Sequence, residues 1–219
     1  MRAAFIAAVV GLVAVAAAPA SAQGVKAKGG AASGYYISGA AGTAGMARST
    51  NSGAVVNNSL EYGNGRALAM AAGYAWTAAK RADVELTSRS ANVDLIQMGT
   101  GPRPTATGSV GTVALLANYH WGTERWGWFI PYVSAGIGFA RTTFGDVVAA
   151  GVPAMSGSAW TLAYQVGVGA EFPMTAHLSL DTSLRLFSAD RPKLSDVNGD
   201  SFKTTIASKD LMVGMRYQF

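Results

Sequence analysis

The sequence predicts an all-β fold, an eight-stranded antiparallel up-and-down barrel that crosses a membrane on its strands. Three observations predict it. Eight segments alternate apolar with polar or small residues at a period of two. The connections between them alternate short and long, and no apolar run beyond the first segment approaches the roughly 20 residues of a spanning helix. The composition agrees: of 219 residues 50% are hydrophobic and only 13% charged, with 27 glycines and no cysteine. So apolar and thinly charged a chain needs something other than water to cover its surface. The absence of cysteine removes disulfides, thiolate nucleophiles and Cys-ligated metals.

Taken in chain order, the first element is a signal peptide over residues 1–22. Met1-Arg2 is a short basic start, the apolar run to Ala18 is too short to span, and Ala20-Ser21-Ala22 is a small-x-small cleavage site. Loss of Arg2 with that segment takes the basic count from 17 to 16 against 12 acids, a net +4. No lysine- or arginine-rich run accompanies this excess, which argues against a nucleic-acid partner. Residues 23–33 read as a periplasmic N-terminal lead, and residues 34–219 as the barrel.

The eight strands are expected at about 34–42, 66–76, 82–90, 112–120, 129–143, 159–172, 178–189 and 205–219. Connections 77–81, 121–128 and 173–177 are short, about five to eight residues, whereas 43–65, 91–111, 144–158 and 190–204 are longer and richer in Ser, Asn, Asp, Gly and Pro. Short turns on the periplasmic side and four longer external loops would produce that alternation in an outer membrane. The strands themselves show two faces. In the last, Leu211, Val213, Met215, Tyr217 and Phe219 oppose Asp210, Met212, Gly214, Arg216 and Gln218. Leu178, Leu180, Leu184 and Leu186 likewise oppose Ser179, Asp181, Ser183 and Arg185, and Trp160, Leu162, Tyr164, Val166 and Val168 oppose Thr161, Gln165, Gly167, Gly169 and Glu171. Tyr and Trp gather near the short turns, as at a membrane boundary.

The inward faces carry the candidate site. Glu85, Arg89, Glu171, Asp181, Arg185, Asp210 and Arg216 are expected to point into the lumen as a charge network. Eight strands leave an interior just wide enough to be filled by side chains, so opposite charges should pair and plug it. Inward Gly136, Gly138, Gly167, Gly169 and Gly214 would make room for them.

The segments Pro131-Tyr132-Val133-Ser134-Ala135-Gly136-Ile137-Gly138, Tyr164-Gln165-Val166-Gly167-Val168-Gly169-Ala170-Glu171 and Met212-Val213-Gly214-Met215-Arg216-Tyr217-Gln218-Phe219 resemble the small eight-stranded outer-membrane barrels of the opacity-protein and OmpA-transmembrane-domain type. The resemblance implies a cell outer-membrane location, a setting of outer-membrane lipids and lipopolysaccharide, and a C-terminal strand read by the barrel-assembly machinery. Met215, Tyr217 and Phe219 match that signal. It further implies a non-enzymatic protein that contributes to envelope structure and to surface interaction through its external loops, with an unknown extracellular ligand and no cofactor. A narrow porin or small-ligand-binding barrel is the alternative.

Three motifs invite other readings. His177-Leu178-Ser179, with Asp190 further on, is similar to the His-x-Ser spacing of lipid A deacylases, but Leu180 stands where that motif has Asn. His120 beside Trp121 is expected at the periplasmic interface without a partner. Asp196-Val197-Asn198-Gly199-Asp200 begins like a calcium loop, yet Ser201 and Ala207 occupy the positions that need Gly and Glu, so an external loop tip is expected.

Overall fold

The structure is a computed structural model, and it describes residues 33–53, 57–98, 105–123, 125–149, 152–190, 193–195, 201–204 and 206–219. The signal peptide, all but the last residue of the expected lead, and the calcium-like segment lie outside the described residues. Among the described residues there are strands and turns and no helix.

Period-two alternation extends the backbone and sorts its side chains to two faces. Eight strands close on one another: β1 (Gly34–Met46), β4 (Asn64–Thr77), β5 (Lys80–Met98), β6 (Ala106–Gly122), β7 (Ile130–Ala149), β8 (Val152–Pro173), β9 (Leu178–Ala189) and β12 (Ile206–Gln218). Each pairs antiparallel with its neighbour in chain order, and β1 also pairs with β12 to shut the ring. Following paired residues round from Tyr36, through Gly73, Asp83, Asn118, Gly136, Gln165, Phe187 and Ser208, returns to β1 at Met46. The stagger is therefore ten residues (46 − 36), which tilts the strands by about 40° to the barrel axis.

Four short strands continue this pattern outward: β2 (Ser49–Gly53), β3 (Asn57–Tyr62), β10 (Lys193–Ser195) and β11 (Ser201–Thr204). β2 prolongs β1, β3 leads into β4, β10 prolongs β9 and β11 leads into β12. They pair in the order β10-β11-β2-β3-β5, the same neighbours as below. The described residues of the stretches 43–65, 91–111, 144–158 and 190–204, expected as external loops, are thus largely strand, and β8 alone runs for 22 residues. Ser, Asn and Gly end the apolar alternation there because both the membrane and the need for a lipid-facing stripe have ended. The neighbouring strand is still present, so the backbone hydrogen bonds continue.

The outward face bears an apolar belt. Leu68, Met70, Val84, Leu115, Val133, Ile137, Val166, Val168, Leu184, Leu211 and Val213 are all exposed. On strands such as β6, β7 and β12 it occupies about ten residue positions along the tilted strand, roughly 25 Å of height, which matches the apolar band of such barrels. At the end carrying the short turns the belt finishes in ring contacts: Tyr35 with Tyr74 at 5.1 Å, Tyr74 with Trp76 at 5.8 Å, Trp128 with Phe172 at 5.1 Å and Tyr217 with Phe219 at 5.3 Å. Rings that are apolar with a polar atom suit a headgroup boundary.

The inside divides in two. Nearer the short turns it is polar and charged. Towards the outer end it becomes an apolar core of Leu60, Val93, Val110, Phe144, Phe187, Ile206 and alanines, which reaches down through Leu116 to the row of Glu85.

Candidate functional site

The lumen network is built in tiers, because inward positions recur every second residue and the stagger offsets each strand from the next. In the lowest tier Glu171 of β8 receives Arg81 of β5 at 2.6 Å and Arg216 of β12. Arg81 also reaches Asp181 of β9 at 3.1 Å, and Tyr132 of β7 donates its hydroxyl to the same carboxylate at 2.7 Å. The Arg81 guanidinium lies 4.6 Å from the centre of the Tyr132 ring, and that of Arg216 lies 5.2 Å from the Tyr36 ring. Beside this tier Asp83 collects three donors: the Tyr36 hydroxyl at 2.7 Å, the Asn118 amide at 2.8 Å and His120 Nε2 at 2.9 Å.

Above it, Glu85 accepts from Arg185 at 2.6 Å and from the Gln165 amide at 3.1 Å, and Gln165 bridges on to Asn118 at 2.9 Å. In the top tier Arg89 donates to Asp210 at 2.6 Å and to the Gln165 carbonyl at 3.3 Å. The Phe187 ring covers the Arg89 guanidinium at 3.9 Å, and there the polar interior ends. Charges taken out of water need partners with good geometry, and these carboxylates each have at least one cationic or neutral donor.

The structure brings Glu85 to Arg185, Arg89 to Asp210, and Glu171 to Arg216, and it joins Asp181 through Arg81. Arg81 was expected in the turn at 77–81; it is instead the first inward residue of β5, since the turn consists of Ala78 and Ala79 alone. His120 was expected at an interface without a partner, and it is buried against Asp83. The pairing of β5 with β6 sets Asp83 opposite Asn118, which places His120 one inward position below. Alternation from Glu85 backward along β5 already pointed to Asp83 and Arg81 as inward. What lay out of reach was the register that gives them partners.

A cavity of about 30 Å³ remains between Tyr36, Arg81, Asp83, His120, Arg185 and Arg216, room for no more than one or two waters. Inward glycines bring the strands close. A Cβ on Gly138 would collide with the Leu115 carbonyl, one on Gly136 with the Asn118 amide and one on Gly169 with the Tyr132 ring.

The residues of the deacylase-like motif are not brought together. His177 lies in the β8–β9 turn, its Nδ1 2.8 Å from the Gln218 carbonyl and its ring 6.0 Å from that of Tyr217. Ser179 is buried on the inward face, and Asp190 lies past the opposite end of β9, roughly 35–40 Å away along the strand. Among the described residues no three His, Asp or Glu side chains converge as metal ligands. Of the C-terminal residues, Met215, Tyr217 and Phe219 all face outward into the belt.

The family model for an outer membrane protein beta-barrel domain matches residues 5–219. The outer membrane protein PagN of Salmonella typhimurium is 26% identical over 144 residues, 61% of this chain and 60% of that protein, so the chain spans less than two thirds of this relative. Among solved structures, Neisserial surface protein A is similar with a TM-score of 0.54 at 16% identity, over 84% of this chain and 97% of that one. The outer membrane protein OprG from Pseudomonas aeruginosa has a TM-score of 0.53 at 17% identity, over 86% and 96%. At such identities the two structures show a shared fold.

Proposed function

The chain belongs to the outer-membrane β-barrel domain family and resides in the outer membrane, and from that premise we propose that it is a plugged, non-enzymatic barrel that supports the envelope and meets its surroundings through its outer rim. One observation carries this reading: among the described residues the interior is occupied by the tiered ion pairs below and by the apolar core above, apart from the one small cavity. A filled lumen suits a scaffold better than a conduit. The strand-built rim adds to it, because β2, β3, β10 and β11 hold the outermost residues on a hydrogen-bonded frame. That frame can present a surface without each contact having to order a loose loop.

With Asp190 beyond the opposite end of β9, the deacylase-like motif lacks the acid that would orient its histidine, whose Nδ1 meets the Gln218 carbonyl instead. In this reading the seven predicted lumen residues, with Arg81, Asp83 and His120, are structural. Met215, Tyr217 and Phe219 serve recognition by the assembly machinery, as in the family the sequence resembles. Purified barrel in planar bilayers tests the plug: no steady conductance is expected, and a reproducible open level would sink the scaffold reading in favour of a narrow porin. Replacing residues 50–59 and 193–204 by tight turns should abolish cell-surface contacts while the heat-modifiable gel shift of a folded barrel persists.

A further inference from the structure

The outward face is uneven around the barrel. With a ten-residue stagger over eight strands, each paired row climbs about 1.25 residues per strand, so heights on different strands can be compared. On β7 and β8 the apolar belt still carries Phe139, Tyr164 and Leu162 at the level where β12, β1, β4 and β5 have already turned polar. There the exposed residues are Lys209, Thr43, Gly45, Arg66, Ser88 and Ser90. The register sets Arg66 opposite Thr43 on one side and Ser90 on the other, and Lys209 opposite Gly45. Two cations therefore flank β1, two strand spacings apart across the sheet and two residues apart along it, roughly 12 Å at the backbone; Thr43 stands between them, and Gly45 raises no side chain.

Below Arg66 the surface opens into a groove of about 450 Å³ floored by Ala41 and Gly42 and walled by Leu68, Ser88 and Ser90. Neither Arg66 nor Lys209 has a hydrogen-bond or ion-pair partner among the described residues. Of the nearby carboxylates, Glu61 is engaged by Arg48, and Asp94 stands four residues beyond Ser90 towards the rim. A cation at the edge of a hydrocarbon belt is costly unless an anion or the headgroup layer meets it. The anion that occurs at this depth, attached to a chain that could fill an apolar groove, is a lipid phosphate.

We propose that this groove binds a phosphorylated lipid of the outer leaflet, its phosphate held between Arg66 and Lys209 with Thr43 as a hydroxyl donor and an acyl chain lying against Ala41 and Leu68. The site rests on the membrane setting and not on the surface role proposed above. The bilayer and rim-replacement experiments can therefore fail without touching it, and it can fail without touching them.

The test uses the refolded barrel in phosphatidylcholine nanodiscs doped with lipid A or with fully dephosphorylated lipid A, bound lipid being counted by native mass spectrometry. Wild type should retain lipid A at least about tenfold more than the dephosphorylated form, the effect of losing charge-assisted hydrogen bonds to one phosphate. Arg66→Gln combined with Lys209→Gln should bring retention down to the dephosphorylated level, whereas Arg48→Ala should leave it unchanged. Each variant is first checked for the heat-modifiable shift, and if the double variant does not fold, the single Arg66→Gln substitution, expected to lose most of the preference, is read instead. Equal retention of the two lipids, or a folded variant that binds as wild type does, overturns the proposal. So does displacement of lipid A by millimolar inorganic phosphate, which would make this a free-anion site. A lipid-independent dimer cross-linked through Ser88→Cys would assign the groove to a second copy and likewise overturn it.

Discussion

In the half of the barrel nearer the short turns, the interior holds Arg81, Asp83, Glu85, His120, Glu171, Asp181, Arg185 and Arg216; in the outer half it holds Leu60, Val93, Val110, Phe144 and Ile206. The outsides are reversed, with Leu, Val and Met facing lipid below and Ser, Asn, Arg and Lys facing water above. Each cross-section places polarity where the surroundings do not already supply it. Within the membrane the exterior stripe satisfies the lipid, and the interior can hold charges provided that they satisfy one another. Beyond the membrane the exterior is wet, and the interior must supply the hydrophobic stabilisation that an ordinary soluble barrel would have. Arg89 stands at the changeover, with Asp210 and Gln165 at its guanidinium and the Phe187 ring over its face.

That division can be broken from either side. The largest effect is expected at the changeover: Arg89→Ala strands the fully buried Asp210 carboxylate and should cost about 3–5 kcal/mol, read as a lower urea midpoint for barrels in phosphatidylcholine vesicles followed by tryptophan fluorescence. Replacing both partners, Arg89→Met with Asp210→Leu, should recover most of the loss. A pair as unstable as the single variant would mean that the network does more than fill space. On the apolar side Phe144→Ala should cost about 3 kcal/mol with the gel shift retained. A loss below about 1 kcal/mol would contradict a packed outer core.

Much of the fold was legible because the lipid imposes a strict pattern. Leu178 to Leu186, Trp160 to Val168 and Leu211 to Phe219 could each be assigned an inside and an outside from alternation alone. The rim was not legible. Leu60, Val93, Val110 and Phe144 come from separate segments rich in Ser, Asn and Gly, and only their packing together reveals a core. In the lumen, alternation found Glu85, Arg89, Glu171, Asp181, Arg185, Asp210 and Arg216. The partnership of Asp83 with His120 depends on the register across the outer connection between β5 and β6, which no turn signal in the sequence sets. Adjacent Lys80 and Arg81 read as a polar turn, although only Lys80 faces out.

Smaller effects sharpen the comparison of inner and outer faces. Gly138→Ala puts a methyl into the Leu115 carbonyl and should cost about 1–3 kcal/mol, while Gly39→Ala, outward with nothing within 4 Å of the new atom, should stay within about 0.5 kcal/mol. Equal urea midpoints for the two would undo the assignment of faces. The least change is expected for Arg48→Ala, which removes a largely exposed pair with Glu61 and should shift stability by less than about 1 kcal/mol.

The seam between β1 and β12 sets the timetable of assembly. Tyr36 pairs with Gln218 and Ile37 with Tyr217, so the first strand of the barrel waits for its last strand before it gains a second neighbour. Pairings between strands so far apart in sequence are the slowest kind to form, because the loop entropy is paid before the contact repays it. Until they form, the nascent sheet has two open edges, each a template for pairing with another chain. A variant whose residues 215–218 cannot pair with β1 should therefore fail late, as a nearly complete sheet that is prone to aggregation and degradation.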